Sequence, residues 1–146
     1  MSTLKSKYSL NERDIQPSRV KRDEGWREIS IKLLLSEKTV GIKSAVLYKT
    51  VVKAGAAHEK HLHHKADEMV YIISGKGRHG LGDEEWDIGP GDAYLNPRGM
   101  VHWTYGTSPN DDPLILVGVY VGAGSLEDTG YEFVERLEKV QKCLNS

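Results

Sequence analysis

The chain has 146 residues, 28% of them charged and 38% apolar, with a formal net charge of −1. That is enough for one domain with a buried core, and too near neutrality to leave an electrostatic footprint for nucleic acid. The single cysteine, Cys143, excludes an internal disulfide framework. The first ten residues lack the apolar centre of a signal peptide, and the longest apolar run, near Leu114 to Val121, is too short to span a bilayer. A cytoplasmic protein without nucleic-acid or membrane partners is expected.

Residues 1–23 are polar and carry little apolar periodicity, as in a frayed end or an arm that docks on a partner subunit. Trp26 marks where the ordered part is expected to begin. In residues 28–35, Ile29, Ile31 and Leu33 alternate with Ser30 and Lys32, the pattern of a half-buried strand. A turn over 36–39 leads to a second strand over 42–53, and residues 54–57 turn the chain again. His61 and His63 come next. On a strand, residues i and i+2 face the same way, so both imidazoles can share one metal. Residues 65–67 suit a turn, and Glu68 opens Met69-Val70-Tyr71-Ile72-Ile73, a run of strong strand character. An antiparallel return brings Glu68 back beside the two histidines.

Strands are expected over 76–81 and 84–88, joined by a turn at Gly82 and Asp83, and then over 93–95 and 100–105, the last carrying His102. Gly75, Gly91 and Gly99 punctuate turns, where a missing Cβ permits positive φ. Pro97 cannot sit inside a central strand. After a loop over 107–112, residues 113–121 form a nearly continuous apolar run, the pattern of a strand buried on both faces. Phe133, Leu137, Val140 and Leu144 recur at helical spacing, with Asp128 or Thr129 as cap. This predicts a helix over 131–144, packed by its apolar stripe on the outside of the β domain, with Cys143 inert within it. The chain thus divides into an arm (1–23), a β domain (24–125) and a helical tail (126–146), with no internal repeat. Many short strands with regular turn signals indicate a sandwich or barrel.

Residues 55–75 fit the pattern G-x5-H-x-H-x4-E-x6-G at every specified position. Residues 91–106 fit G-x5-P-x-G-x2-H-x3-N, except that Gly106 stands in place of the final Asn, and glycine turns equally well. Both patterns resemble the two motifs of the cupin superfamily, and the short link over 76–90 resembles that of its small single-domain metal-binding members. The resemblance covers the middle third of the chain directly. It implies an all-β, single-domain jelly-roll β-barrel with one divalent transition metal held by His61, His63, Glu68 and His102. It also implies a homodimer through outer barrel faces, with the arm before Trp26 as a candidate for exchange.

Four protein ligands around an octahedral ion leave two positions for water, substrate or dioxygen. This favours Fe(II), Mn(II), Ni(II) or Co(II), with Zn(II) as an ion that such a site also accepts. Strand parity nominates the lining of the barrel mouth. If Glu68 points inward, so do Val70 and Ile72; if His102 does, so do Met100 and Thr104. Tyr48, Arg78 and Tyr94 are further candidates, whereas Tyr71, Trp103 and Tyr105 face the other side. His58, His64 and His79 read as structural or surface residues. A mostly apolar lining suits a small organic substrate that chelates the metal. The fold alone does not fix the reaction. No obvious general base stands near the ligands, which favours an Fe(II)-dependent dioxygenase. A non-oxidative isomerase, cyclase or lyase, with His58, His64 or Tyr48 as base, is the alternative. A metabolite-binding module without catalysis is the third reading.

Overall fold

The structure is a computed structural model that describes residues 6–109 and 111–138. Among the described residues the strands are β1 (Trp26–Arg27), β2 (Ser30–Leu35), β3 (Ala45–Val52), β4 (Ala57–His63), β5 (Asp67–Ser74), β6 (Gly77–Leu81), β7 (Glu84–Ile88), β8 (Ala93–Asn96), β9 (His102–Gly106), β10 (Leu114–Val121) and β11 (Tyr131–Glu135). They form two antiparallel sheets. One runs β1-β4-β9-β6-β7, with β11 also on β4; the other runs β2-β3-β10-β5-β8. This is the all-β jelly-roll arrangement expected from the sequence, and the core lies between the sheets. Alternation produces that core: Val46, Tyr48 and Val52 of β3, Val70 and Ile72 of β5, and Leu114, Leu116 and Tyr120 of β10 all face inward. No helix among the described residues is long and apolar enough to cross a membrane.

Three local expectations change. Residues 36–39 do not simply turn: Ser36 caps a one-turn helix α1 (Glu37–Val40), with Thr39 closing the capping box. Strand β10 is not buried on both faces, because Ile115, Val117 and Val119 are half-exposed on the outside of its sheet. Its Gly118 serves packing, since a Cβ there would collide with the Tyr48 ring.

The tail differs most. Tyr131–Glu135, expected as the start of a helix, forms β11 and pairs antiparallel with Lys60–His63 of β4. β1 occupies that edge of β4 only at Ala57 and His58, so the ladder groups beyond His58 were open, and pairing them outweighs a weak helical period. Leu137 does pack outside the barrel, on Ala57, Trp103 and Tyr105, and its N–H donates to Oε2 of buried Glu59 at 2.8 Å. The expected helical positions Val140 and Leu144, with Cys143, lie outside the described residues. The arm lies along its own sheet. Ser18 N–H donates to Ile31 O at 2.8 Å, and Glu12 is bound by Lys49 at 2.7 Å and by Lys32 through its carbonyl.

Candidate metal centre

Three histidines and one glutamate converge between the sheets. His61 and His63 come from β4, His102 faces His61 across the β4–β9 ladder, and Glu68 opens β5 in the opposite sheet. All four are buried, at 5% exposure or less. The ligand atoms of His61, His63 and His102 lie within 4.8 Å of one another. Oε1 of Glu68 is 3.0 Å from Nε2 of His102 and 4.0 Å from Nε2 of His63.

The second nitrogen of each ring decides what the first can do. His61 Nδ1 donates to the Glu59 carbonyl at 2.6 Å, and His102 Nδ1 to the Met100 carbonyl at 3.1 Å. His63 Nδ1 lies 2.8 Å from the Thr129 hydroxyl. That hydroxyl spends its own proton on the Leu126 carbonyl at 2.6 Å, so it accepts from His63. A neutral imidazole with Nδ1–H presents a lone pair at Nε2. All three histidines therefore turn a bare Nε2 toward a common point. Among the described residues, Nε2 of His63 and of His102 has no hydrogen-bond partner although both are buried, a costly state that a bound cation relieves. The residues present fit a divalent transition metal.

Electrostatics agree. Burial pushes the His63 imidazole down to about 4, against the opposing pull of Glu68, and burial holds His61 well below the ordinary imidazole value. Both are neutral near pH 7, as ligation requires. Burial alone would raise the Glu68 carboxyl, but its surroundings outweigh it and hold the group below the usual carboxylate range, the Tyr48 hydroxyl being one of the donors to it. Glu68 is thus an anion. Its Oε2 accepts from the Tyr48 hydroxyl, and its Oε1 accepts from Asn96 Nδ2 at 3.0 Å.

A cavity of about 30 Å³ opens beside these residues, room for two or three waters on the order of ~10–15 Å³ each. Of the pocket candidates, Tyr48, Val70, Tyr94 and Thr104 line it. Ile72 is inward and fully buried but belongs to the core away from the cavity. Met100 does not line it: the residue precedes β9 and its side chain is 40% exposed, because strand alternation begins only at His102. Arg78 does not either. It faces outward from β6, paired with Asp87 at 2.7 Å and Glu85 at 3.5 Å, and its neighbour His79 is the buried one. Among the described residues, no lysine or arginine lines the cavity. Of the three aromatics expected to face away, Tyr71 is exposed, whereas Trp103 and Tyr105 are covered on the outer side by Leu137.

In the sequence His58 is named only as an alternative base, and Trp26, Asn96 and His79 are not assigned to the site. His58 lines the cavity and stacks on His61 with ring centroids 3.5 Å apart. Regular alternation cannot place both inside; an irregularity in the β4–β9 register between His58 and His61 does. Trp26 stacks on the other face of His58 at 3.9 Å. Tyr131 donates to the Glu24 carbonyl, so His58 Nε2, 3.2 Å away, is the donor to Tyr131. Asn96, in Leu95-Asn96-Pro97, is 2% exposed and bonded to Glu68. His79 bonds both Asn96 and Thr104. His64 stays at the surface, 2.7 Å from Glu132.

Two antiparallel sheets enclose a cluster of three histidines that could hold a metal ion, with one carboxylate beside it. The family model "Cupin domain" matches residues 48–120, and the chain belongs to that family. No curated protein matches it. Among solved structures it is similar to the polyketide cyclase RemF from Streptomyces resistomycificus, at 19% identity and a TM-score of 0.68 over 94% of this chain and 92% of that one. A predicted oxalate decarboxylase from Thermotoga maritima matches at 21% identity and 0.66 over 77% and 96%. The oxalate decarboxylase of Lactobacillus farciminis, solved as a formate complex, matches at 16% and 0.69 over 94% of this chain and 40% of that one.

Proposed function

We propose that this chain is a metal-dependent enzyme for a small organic molecule, with one divalent transition ion (Fe, Mn, Ni, Co or Zn) held by His61, His63, Glu68 and His102. The observation that carries the reading is the pair of buried, unpartnered Nε2 atoms facing an ionised carboxylate. When bound, the ion supplies Lewis-acid polarisation of a substrate oxygen. The chain supplies the rest. Ile29, Ile31, Val52, Val70 and Leu116 give the cavity an apolar wall. His58, held between Trp26 and His61, is a titratable side chain at the cavity that is not in the ligand set. It is placed to move a proton on the substrate, and the Tyr94 and Tyr120 hydroxyls are placed to orient it. This favours a non-oxidative reaction of the cyclase, isomerase or lyase type, and the end-to-end likeness to a structure named as a polyketide cyclase supports it.

An Fe(II)-dependent dioxygenase is the second reading, favoured by the apolar wall and by four protein ligands that leave two positions on an octahedral ion. The test reconstitutes metal-free protein with each ion and assays diketones, hydroxyketones and catechols with and without air. Turnover that persists with Zn(II) and without O₂ is expected. A strict need for Fe(II) and O₂ replaces the first reading with the second, and no turnover with any ion leaves a binding module. The reading also includes a cytoplasmic homodimer, formed through the outer face of the five-stranded sheet, where Met69, Tyr71, Ile73 and Leu95 are about half exposed.

A further inference from the structure

Behind Glu68 a hydrogen-bonded chain runs through Asn96 and His79 of β6 to Thr104 of β9. Oε1 of Glu68, an acceptor only, faces Asn96 Nδ2 at 3.0 Å. That contact fixes the amide, because its NH₂ must face the carboxylate and its Oδ1 must face away. Oδ1 meets His79 Nε2 at 2.7 Å. Nε2 therefore carries the ring proton, and Nδ1 accepts from the Thr104 hydroxyl at 2.8 Å. Each donor and acceptor along Thr104–His79–Asn96–Glu68 has one consistent role.

The ring at the centre is held rigidly. His79 is 1% exposed, stacks on Tyr94 with centroids 3.9 Å apart, and meets the edge of Trp86 at 5.3 Å. The strands explain the convergence: His79 and Thr104 are directly paired across β6 and β9, and Asn96 and Glu68 across β8 and β5. The relay thus crosses from one sheet to the other and joins the two sides of the centre.

We infer that His79 is a positioning residue for the metal centre. It locks the Asn96 amide so that its N–H points at Glu68 and holds Oε1 toward the histidine cluster. Without the His79 N–H, the Glu68 contact alone holds the orientation of the Asn96 amide. A flipped Asn96 would put Oδ1 against the Glu68 carboxylate and push it from the centre. This rests on the metal-site reading above and adds residues that neither motif contains as a ligand. Groups that orient a ligand change metal affinity by roughly 10–100-fold when removed.

The experiment uses the full chain, stripped of metal and titrated with Co(II) against a competing chelator, with the visible Co(II) spectrum and the melting temperature of the metal-free protein read in parallel. His79→Gln keeps a nitrogen donor near the position of Nε2, and His79→Leu keeps bulk but no donor. Asn96→Ala removes the last donor without touching the ring stack, and it decides the matter if His79→Leu does not fold. The expected result is Co(II) affinity within about threefold of the parent for His79→Gln, and a loss of about tenfold or more, with an altered spectrum, for His79→Leu and Asn96→Ala. Parent-like affinity in Asn96→Ala, or an equal loss in His79→Gln and His79→Leu at unchanged melting temperature, overturns the inference while the metal site stands. Failure of the parent itself to bind Co(II) overturns the metal-site reading and this inference together.

Discussion

Glu68 has no slack. Tyr48 takes one oxygen, Asn96 takes the other, and His102 lies 3.0 Å from the same Oε1. Substituting Gln keeps the shape, removes the charge and leaves one acceptor for two donors. Glu68→Gln should fold and bind a divalent ion about tenfold or more weakly, measured by chelator competition. Tyr48→Phe strips the partner from Oε2, and an unpaired buried polar group costs about 1–3 kcal/mol; the metal-free variant should melt lower, as calorimetry would show. The double variant His61→Ala, His63→Ala removes two of three imidazoles, and elemental analysis should find no stoichiometric metal. Acid acts on the same residues. His63 titrates at about 4 in the fold against an ordinary 6.5, and His79 at about 3. The folded state therefore binds fewer protons than the unfolded chain between these values. Their contribution to stability is whole above pH 6.5 and is lost as pH falls toward 4 for His63 and toward 3 for His79. Thermal melts of the metal-free protein should decline through that window, and loaded protein should release its ion there, since protons compete for Nε2.

At the level of elements, β4 determines the site. Its regular end places His61 and His63 on one face, and its irregularity turns His58 inward as well. The edge it leaves open is closed by β1 and β11, and the chain beyond β11 is held by Glu59. That carboxylate is buried on the outer face of β4, 3.8 Å from Arg27 and bonded to the Leu137 N–H. Leu137→Ala removes the side chain that covers Trp103 and Tyr105. Truncations of buried leucine cost about 2–5 kcal/mol, and a contact on the barrel exterior belongs at the low end. The variant should lose stability in denaturant melts while its metal affinity stays unchanged, because the contact lies on the side of β9 away from the histidines.

Across the whole molecule, the two outer faces differ. The six-stranded sheet is partly covered by the tail through Leu137, whereas the five-stranded sheet exposes Met69, Tyr71, Ile73 and Leu95 beside the half-exposed Val117 and Val119. Paired strands bring them together: Met69 lies opposite Leu95 on one side and Val119 on the other, and Tyr71 lies opposite Val117. The homodimer proposed above would bury this contiguous apolar surface. Light scattering at micromolar concentration should give twice the chain mass of 16.3 kDa, and Tyr71→Glu should return it to a monomer.

Local pattern carried the β class, most strand positions and the four residues of the centre, because alternation and the spacing His61-x-His63 act within single strands. Parity reached Val70 and Thr104 for the same reason. It failed for Met100, where the strand had not begun, and Arg78, a candidate named without parity, faces outward. It missed His58, because a shifted register breaks period two without leaving a mark in residue type. It missed His79 and Asn96, whose roles exist only once β6 meets β9 and β8 meets β5. The tail shows the same limit. Phe133 and Leu137 fit a helical period, yet an open edge on β4 made Tyr131–Glu135 a strand. The sequence by itself determined which atoms can bind a metal, since that is a property of side chains at fixed spacing. Only the tertiary structure decided which nitrogens are bare and which carboxylate oxygen faces them, because hydrogen-bond partners from distant strands set those states.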